Sequence, residues 1–234
     1  MNLLTTKAQN QDTIKLKEQR EFPKFILPAC LISYGIGARI MAPIRELDYK
    51  ISENIEKYYT KRSSIDNYTQ YVPVAAVFGL DLTGAKAKNN FCDRTFVSAT
   101  SYLLMTAVVR TMKQTINVQR PDSYDNYSFP SGHTATAFVG AHILSKEYKD
   151  VSPWIAVAGY TVATGTGISR IYNKHHWLSD VLTGAGIGIL SAEVGYLLLP
   201  VFHKMYGIKE KDNNLVIIPS INTGYCGIGL AYSF

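Results

Sequence analysis

The stretch Leu178–Phe202, LSDVLTGAGIGILSAEVGYLLLPVF, is the longest apolar run in the chain, and Asp180 and Glu193 alone interrupt it with charge. As a helix it reaches the roughly 20 residues that are needed to span a bilayer. Its segment Gly184–Gly188 is dense in small residues, which allow a second helix to approach closely in a membrane bundle or a soluble one. The run therefore predicts a long helix within an α-helical bundle.

Shorter apolar stretches precede this helix and predict the rest of the bundle: Phe25–Pro43, Tyr71–Ala85, Val97–Met112, Thr134–Tyr148 and Trp154–Ile168. The last of them is predicted to be a buried helix, which Ser152 caps and Pro153 opens. We find five or six helices and no internal repeat. The expected fold class is therefore all-α, a bundle of about six helices with the active site at one end.

Three parts are expected along the chain. Residues 1–24 are polar and lack the apolar stretch of a signal peptide, although Thr5–Gln11 fits the end of a leader whose start is missing. Residues 25–205 form the helical domain. Residues 206–234 have strand character, since apolar and small side chains alternate there, and predict a short β-hairpin-like tail.

Charge and composition exclude several classes of protein. The net charge is 24 − 18 = +6, and the chain has no run of Lys and Arg with interleaved aromatics, so we expect no nucleic-acid partner. Hydrophobic residues make up 47% of the chain, which excludes intrinsic disorder. The three scattered cysteines, Cys30, Cys92 and Cys226, argue against a disulfide framework and against a zinc site.

Three short segments carry the residues that favour chemistry: Lys113 to Arg120-Pro121, then Pro130-Ser131-Gly132-His133, then Ser169-Arg170 to His176 and Asp180. The cations Lys113, Arg120 and Arg170 are costly in apolar surroundings unless an anion meets them. The N–H groups of a helix that opens at Ser131 offer an anion site, and Gly132 lets the backbone approach a ligand. Together they predict a buried pocket for a tetrahedral oxyanion.

No metal-ligand pattern accompanies these segments, because the sequence has no HExxH motif, no cysteine pair and no dense carboxylates. We therefore expect no metal and no cofactor. Arginine and lysine side chains would neutralise the charge of the oxyanion instead.

The three segments match KX6RP, PSGH and SRX5HX3D, in that order and with each spacing met. This chain therefore resembles the phosphatidic acid phosphatase type 2 superfamily. The resemblance implies that His176 attacks phosphorus and forms a phosphohistidine, and that His133 protonates the leaving oxygen and then activates water. It also implies that Asp180 holds the nucleophile. The expected phosphate ligands are Lys113, Arg120, Ser131, Gly132 and Arg170.

Helical spacing agrees with those roles. Asp180, four residues after His176, is placed to accept a hydrogen bond from one ring nitrogen, which leaves the other nitrogen unprotonated and nucleophilic. His175 is one residue away and is turned by about 100° around a helix. His142 and His203 belong to no motif, and we expect structural or surface roles for them.

The leading functional hypothesis is a phosphatase that hydrolyses a phosphate monoester or pyrophosphate of a lipid. The apolar Trp154–Ile168 favours lipid phosphates over the alternative, a soluble periplasmic acid phosphatase that acts on small phosphate esters. A vanadate-dependent haloperoxidase and a non-catalytic lipid-binding membrane protein are the remaining alternatives. A membrane partner is expected, and the sequence does not indicate an oligomeric state.

The expected location is the bacterial cell envelope: either the inner membrane with a periplasm-facing active site, or the periplasm itself. The loop Asp122–Ser128 lies between two of the motifs and is expected to border the mouth of the pocket. Tyr124, Tyr127 and the adjoining Phe129 either contact a lipid chain there or pack the loop.

Overall fold

The computed structural model describes residues 23–58, 62–205, 215–222 and 225–232. Within them lie eight α-helices: α1 (Pro23–Ile40), α2 (Ala42–Tyr58), α3 (Asp66–Thr69), α4 (Val72–Gly79), α5 (Phe91–Ile116), α6 (Gly132–Tyr148), α7 (Pro153–Tyr172) and α8 (Leu178–Met205). A 3₁₀ turn, Leu80–Thr83, extends α4. The all-α class is confirmed. The count exceeds the expected six, because α2 is largely polar and α3 has only four residues.

The chain divides into two compact units, Met1–Gly195 and Tyr196–Phe234. The second unit holds the end of α8 and an antiparallel hairpin of β1 (Leu215–Asn222) and β2 (Tyr225–Tyr232). Leu215 pairs with Tyr232 at the open end of the hairpin. The polar segment 1–24 lies almost entirely outside the described residues, so the interpretation of that segment as a leader remnant does too.

Helix α6 forms the core of the first unit, because its small and branched side chains are buried: Ala135, Ala137, Val139, Ala141 and Ile143. Helix α7 packs against it through small residues. A Cβ on Gly159 would lie 2.9 Å from Leu144 Cδ2 and 3.7 Å from the Ala141 Cα. Close approach of these helices therefore depends on the missing side chain at position 159.

The small-residue segment of α8 also packs closely against α6, as the sequence predicts. A Cβ at Gly184 would lie 2.4 Å from the Ser131 carbonyl oxygen, and one at Gly188 would lie 2.6 Å from that of Ala135. Both distances are too short for any other residue. The first of these contacts holds the start of α6 beside the start of α8.

The expected burial of α7 is wrong for one of its faces. Trp154 is 75% exposed, and Val157 and Ile168 are also exposed. Only the face that carries Gly159 and Ala163 packs against the rest of the bundle. Ser152 occupies the N-cap position with Pro153 directly after it, but the serine side chain makes no capping hydrogen bond.

Helix α8 is the one helix in the described part of the chain that is long and apolar enough to cross a bilayer by itself. The pair α1 and α2 passes the same test only as a single broken span, bent by 94° between the two helices. Length and composition therefore allow one crossing or two.

The fold brings the three motifs to one end of the bundle. Lys113 and Arg170 lie near the C-terminal ends of α5 and α7, while His133 and Asp180 lie at the N-terminal ends of α6 and α8. Backbone contacts join these ends, since the Ser131 N–H donates to the Asp180 carbonyl at 3.0 Å.

Candidate active site

The histidine–aspartate pair lies where α8 begins. His176 and Asp180 are both buried, and the His176 Nδ1 is 3.6 Å from the Asp180 Oδ2. That same oxygen accepts a hydrogen bond from the Trp177 N–H at 2.9 Å and another from the Ser128 hydroxyl. These two donors fix the orientation of the carboxylate beside the imidazole.

The surroundings of His176 keep its imidazole neutral. Burial lowers the pKa of His176 well below its ordinary value, and the positive charges of Lys113, Arg170 and Arg120 lower it further. A neutral ring has a lone pair on one nitrogen at neutral pH. The site therefore holds a buried imidazole in the form that a nucleophile requires.

His133 faces the site from the first turn of α6. Ser131 caps this helix, because its hydroxyl accepts a hydrogen bond from the Thr134 N–H at 3.5 Å. The His133 Nε2 pairs with the Asn67 side-chain oxygen at 2.9 Å. Burial, followed by the charge of Arg170, lowers the pKa of His133 to about 4.

Two of the three cations have acidic partners within the protein. Arg170 Nη1 donates to Asp66 Oδ2 at 2.5 Å, and both side chains are buried. Arg120 Nε donates to Asp125 Oδ1 at 2.7 Å. Carboxylates of the protein itself therefore offset part of the charge of these two cations.

Lys113 is held differently, by backbone oxygens. Its ammonium donates to the carbonyls of Tyr127 and Ser128 in the loop before α6. Burial, followed by the charge of Arg120, lowers the pKa of Lys113 to about 8. The loop carbonyls therefore anchor the lysine near the motif residues without neutralising its charge.

A second carboxylate supports the start of α8. Asp48 on α2 accepts hydrogen bonds from the Ser179 N–H at 3.0 Å and from Arg39 Nη2 at 3.0 Å. The same Arg39 nitrogen lies 3.9 Å from Asp180 Oδ1 and donates to the Ser179 hydroxyl. Arg39 therefore links Asp48 to the carboxylate of the His176–Asp180 pair.

Sequence reasoning missed the residues that support the motifs from outside them: Arg39, Asp48, Asp66, Asn67 and Ser128. No spacing ties any of the first four to a motif, because each reaches the site through the fold alone. Ser128, two residues before Pro130, is the one that its proximity to a motif marks out.

The remaining predicted residues are placed as follows. His175 lies beside a different carboxylate, with its Nδ1 3.4 Å from Asp122 Oδ2, so the geometry favours His176 as the partner of Asp180. Phe129 is buried under the Arg39 guanidinium and packs the loop. Tyr124 is 85% exposed, and Tyr127 is exposed as well, so both tyrosines remain accessible to a ligand.

No group of three or more His, Cys, Asp or Glu side chains is arranged to hold a metal ion in the part of the chain that the structure describes. The charged groups that converge on His176 are Lys113, Arg120 and Arg170. The arrangement can bind a tetrahedral anion through cations and place two imidazoles against it.

Comparisons with known proteins identify relatives of this chain. Residues 94–204 match the PAP2 superfamily. The chain is 43% identical over 194 residues to a lipid A 1-phosphatase from Porphyromonas gingivalis, a match that covers 76% of this chain and 43% of the relative. It is 35% identical over 97 residues to phosphatidylglycerophosphatase B from Bacillus subtilis, which covers 35% of this chain and 46% of the relative.

The matched segments span less than half the length of both relatives. Among solved structures, Aquifex aeolicus LpxE aligns with a TM-score of 0.50 and 22% identity over 64% of this chain and 95% of its own. This likeness concerns the fold.

Proposed function

Since the chain belongs to the PAP2 superfamily through residues 94–204, we propose that it is a phosphatase that hydrolyses the phosphate monoester or pyrophosphate of a lipid without a metal. The observation that carries this proposal is the buried pair of His176 and Asp180, 3.6 Å apart, at the point where the three motif segments converge. A second imidazole, that of His133, faces the same site.

In the first step the unprotonated nitrogen of His176 attacks phosphorus, so that an N–P bond forms while the P–O bond to the leaving group breaks. Asp180 accepts a hydrogen bond from Nδ1 and stabilises the positive charge that develops on the ring. The 3.6 Å separation exceeds a hydrogen bond, and pairs of this kind shorten when substrate binds. Lys113, Arg120 and Arg170 offset the charge of the phosphoryl oxygens.

His133 supplies the proton that the leaving oxygen takes. Its pKa of about 4 rises when an anionic phosphate offsets the charge of Arg170, so the imidazole becomes protonated as substrate binds. In the second step water attacks phosphorus, its proton returns to His133 and the N–P bond breaks. Inorganic phosphate is then released, and both histidines regain their starting forms.

The outer faces of the helices support the proposed lipid substrate and envelope location. Large apolar side chains are exposed on α5 and α7: Leu103, Val108, Trp154, Val157 and Ile168. An exposed apolar surface of this kind fits contact with lipid, and α8 is long enough to span a bilayer. We place the active site at the periplasmic side of the bacterial inner membrane.

The test is release of inorganic phosphate in the presence of EDTA from a panel of substrates. The panel contains para-nitrophenyl phosphate, phosphatidic acid, phosphatidylglycerophosphate, undecaprenyl pyrophosphate and lipid A, with the His176→Ala variant as control. We expect release from lipids well above release from the small ester. A preference for para-nitrophenyl phosphate would instead support the soluble acid phosphatase.

The covalent step has its own measurement. Rapid quenching with ³²P-labelled substrate is expected to trap label on the protein as an acid-labile, base-stable phosphoramidate, and His176→Ala is expected to show none. Phosphate release by a folded His176→Ala protein would contradict the mechanism.

A further inference from the structure

A cavity of about 260 Å³ lies beside the catalytic pair, between α2 and the loop that follows α5. Neither catalytic histidine lines it. Its walls are polar and aromatic: Arg39, Arg45, Asp48, Tyr49, Arg120 and Trp177, together with the loop residues Val118, Gln119, Pro121 and Ser123.

Two of the residues that line the cavity belong to the proposed catalytic machinery. Arg120 is a predicted phosphate ligand, and its Nη1 donates to the His175 carbonyl at 3.3 Å. Trp177 directly follows His176, and its N–H donates to the Asp180 carboxylate at 2.9 Å. A group bound in the cavity would therefore lie close to a phosphate held at His176.

Two contacts position the aromatic wall of the cavity. The ring of Trp177 meets that of Tyr49 edge-on, with 5.0 Å between the centroids. The indole N–H also donates to the Gln119 carbonyl at 2.8 Å. Both contacts fix the tryptophan, so the protein itself sets the shape of the cavity.

The charge of the cavity is positive and incompletely paired. Three arginines face one carboxylate across its lining. Arg39 is bound to Asp48 and Arg120 to Asp125, whereas the guanidinium of Arg45 makes no hydrogen bond or ion pair within the part of the chain that the structure describes. Arg45 is therefore available for an anion that enters the cavity.

We propose that this cavity binds a second anionic group of the substrate headgroup, next to the phosphate that is cleaved. Its volume suits a small headgroup, and its polar lining disfavours an acyl chain. Residues 39–49 lie outside the segment 94–204 that defines the family. The proposal rests on the proposed phosphatase function and names the substrate class within it: a lipid phosphate that carries a further anion.

The experiment compares kcat/KM for substrates with and without a second anion in mixed micelles. Phosphatidic acid carries the terminal phosphate alone. Phosphatidylglycerophosphate adds a phosphodiester, undecaprenyl pyrophosphate adds an inner phosphate, and lipid A adds a phosphate on its second sugar. The measured quantity is the ratio of each value of kcat/KM to that for phosphatidic acid.

Arg45→Gln is expected to lower this ratio about tenfold for the substrate whose second anion reaches the cavity, because a charge-assisted hydrogen bond is lost. The substrate that responds identifies the source of the anion. Lys50→Gln is the matched control, since it removes one positive charge from the same helix at an exposed residue that pairs with Glu46 and lies outside the cavity. This control is expected to leave every ratio unchanged.

The outcomes separate the two proposals. Hydrolysis with all ratios unchanged in Arg45→Gln, or lowered equally by Lys50→Gln, overturns the anion subsite while the phosphatase stands. Absence of phosphate release from every substrate by the unaltered chain overturns the phosphatase, and the subsite with it.

Discussion

Two buried charged clusters in the bundle differ in how completely their polar atoms are paired. One surrounds Glu193, about 20 Å along α8 from Asp180. Glu193 Oε1 lies 2.7 Å from His142 Nε2, and its Oε2 accepts from Lys146 at 2.9 Å. The His142 Nδ1 in turn pairs with the Tyr160 hydroxyl at 2.6 Å. Both carboxylate oxygens and both ring nitrogens are therefore satisfied.

The cluster at the motif end is not saturated. His176 Nδ1, Asp180 Oδ1, Arg170 Nε and Arg39 Nε are all buried without a hydrogen-bond partner. A buried polar atom without a partner costs free energy, so a ligand or a reaction step that pairs these four atoms would be favoured. Unpaired buried atoms also occur elsewhere in the described residues, at Tyr34, Arg94 and Ser98. The Glu193 cluster joins α6, α7 and α8, whereas the unpaired atoms at the motif end support the proposed anion site.

Replacement of His176, the proposed nucleophile, is expected to have the largest effect. His176→Ala should lower kcat/KM at least about 10³-fold, because no other group near Asp180 replaces the attacking nitrogen. Truncation of this buried ring leaves a cavity and removes its contact with the Ser128 backbone, so the melting temperature should fall, and kcat/KM is compared per folded molecule. The measurements are steady-state phosphate release and thermal unfolding in detergent.

His175→Ala is the matched control for this prediction, because it removes the neighbouring imidazole, which contacts Asp122 rather than Asp180. It is expected to retain activity within about threefold. Equal losses of kcat/KM in the two variants would show that His176 contributes no more to catalysis than the neighbouring histidine, which contradicts its proposed role.

The second largest effect is expected at Asp66, which belongs to the motif end although it lies far from the motifs in sequence. Asp66→Asn removes the negative charge that faces Arg170. The free energy of unfolding should fall by about 2–3 kcal/mol. Displacement of Arg170 should lower kcat/KM about 10²-fold.

Sulfate tests whether that loss belongs to an anion site. Bound sulfate gives Arg170 a new counter-charge, so it should raise the melting temperature of Asp66→Asn by more than it raises that of the unaltered chain. An equal rise in both proteins would place Arg170 outside the anion site.

Glu193→Gln tests the Glu193 cluster, which is expected to contribute to stability and not to catalysis. The change leaves His142 and Lys146 without their shared charge partner, so the free energy of unfolding should fall by about 2–3 kcal/mol. Per folded molecule, kcat/KM should stay within about threefold, because the cluster is distant from the site. A specific loss of kcat with unchanged stability would contradict the structural role.

Parts of this contrast are predictable from the sequence, and others are not. The motifs carry their own spacing over short stretches, so His133, His176 and Asp180 stand out from the sequence alone. The close approach at Gly184 is also predictable, since a run of small residues on an apolar helix favours contact with a second helix. Local patterns are sufficient for both.

Apart from Ser128, the supporting residues are not predictable, because they lie far from the motifs in the sequence and the fold alone brings them to the site. Asp66 meets Arg170 from 104 positions away, and no periodicity marks a four-residue helix. Helix α5 begins at Phe91, where Asn90 accepts from the Asp93 N–H at 2.9 Å, and this is six residues before the predicted Val97. The first turn of α5 is polar, so the apolar pattern that predicts the helix begins only at Val97. The exposed face of α7 contradicts the predicted burial because apolar composition does not distinguish protein contacts from lipid-facing ones.

The last prediction concerns pH and rests on His133. Its pKa is about 4, below the ordinary value of 6.5, so the ring is neutral at pH 7 and binds a proton when an anion arrives. Sulfate is a suitable probe, because it remains a dianion across this range. Its inhibition constant should therefore decrease as the pH falls from 7.5 to 5, by up to about tenfold per pH unit for one linked proton.

His133→Asn should flatten this dependence, while the polar side chain preserves the start of α6. The pKa of His176 is also lowered. The pH dependence that remains in His133→Asn therefore measures the proton that His176 binds together with sulfate. A double variant, His133→Asn with His176→Asn, should bind sulfate with little pH dependence between pH 7 and 5, as measured by calorimetry. Lys113, whose pKa is about 8, stays charged over that interval. A slope that persists in the double variant would assign the proton to a group other than these two imidazoles. His175 would then be the first to examine, because burial and the charge of Arg170 lower the pKa of that imidazole as well.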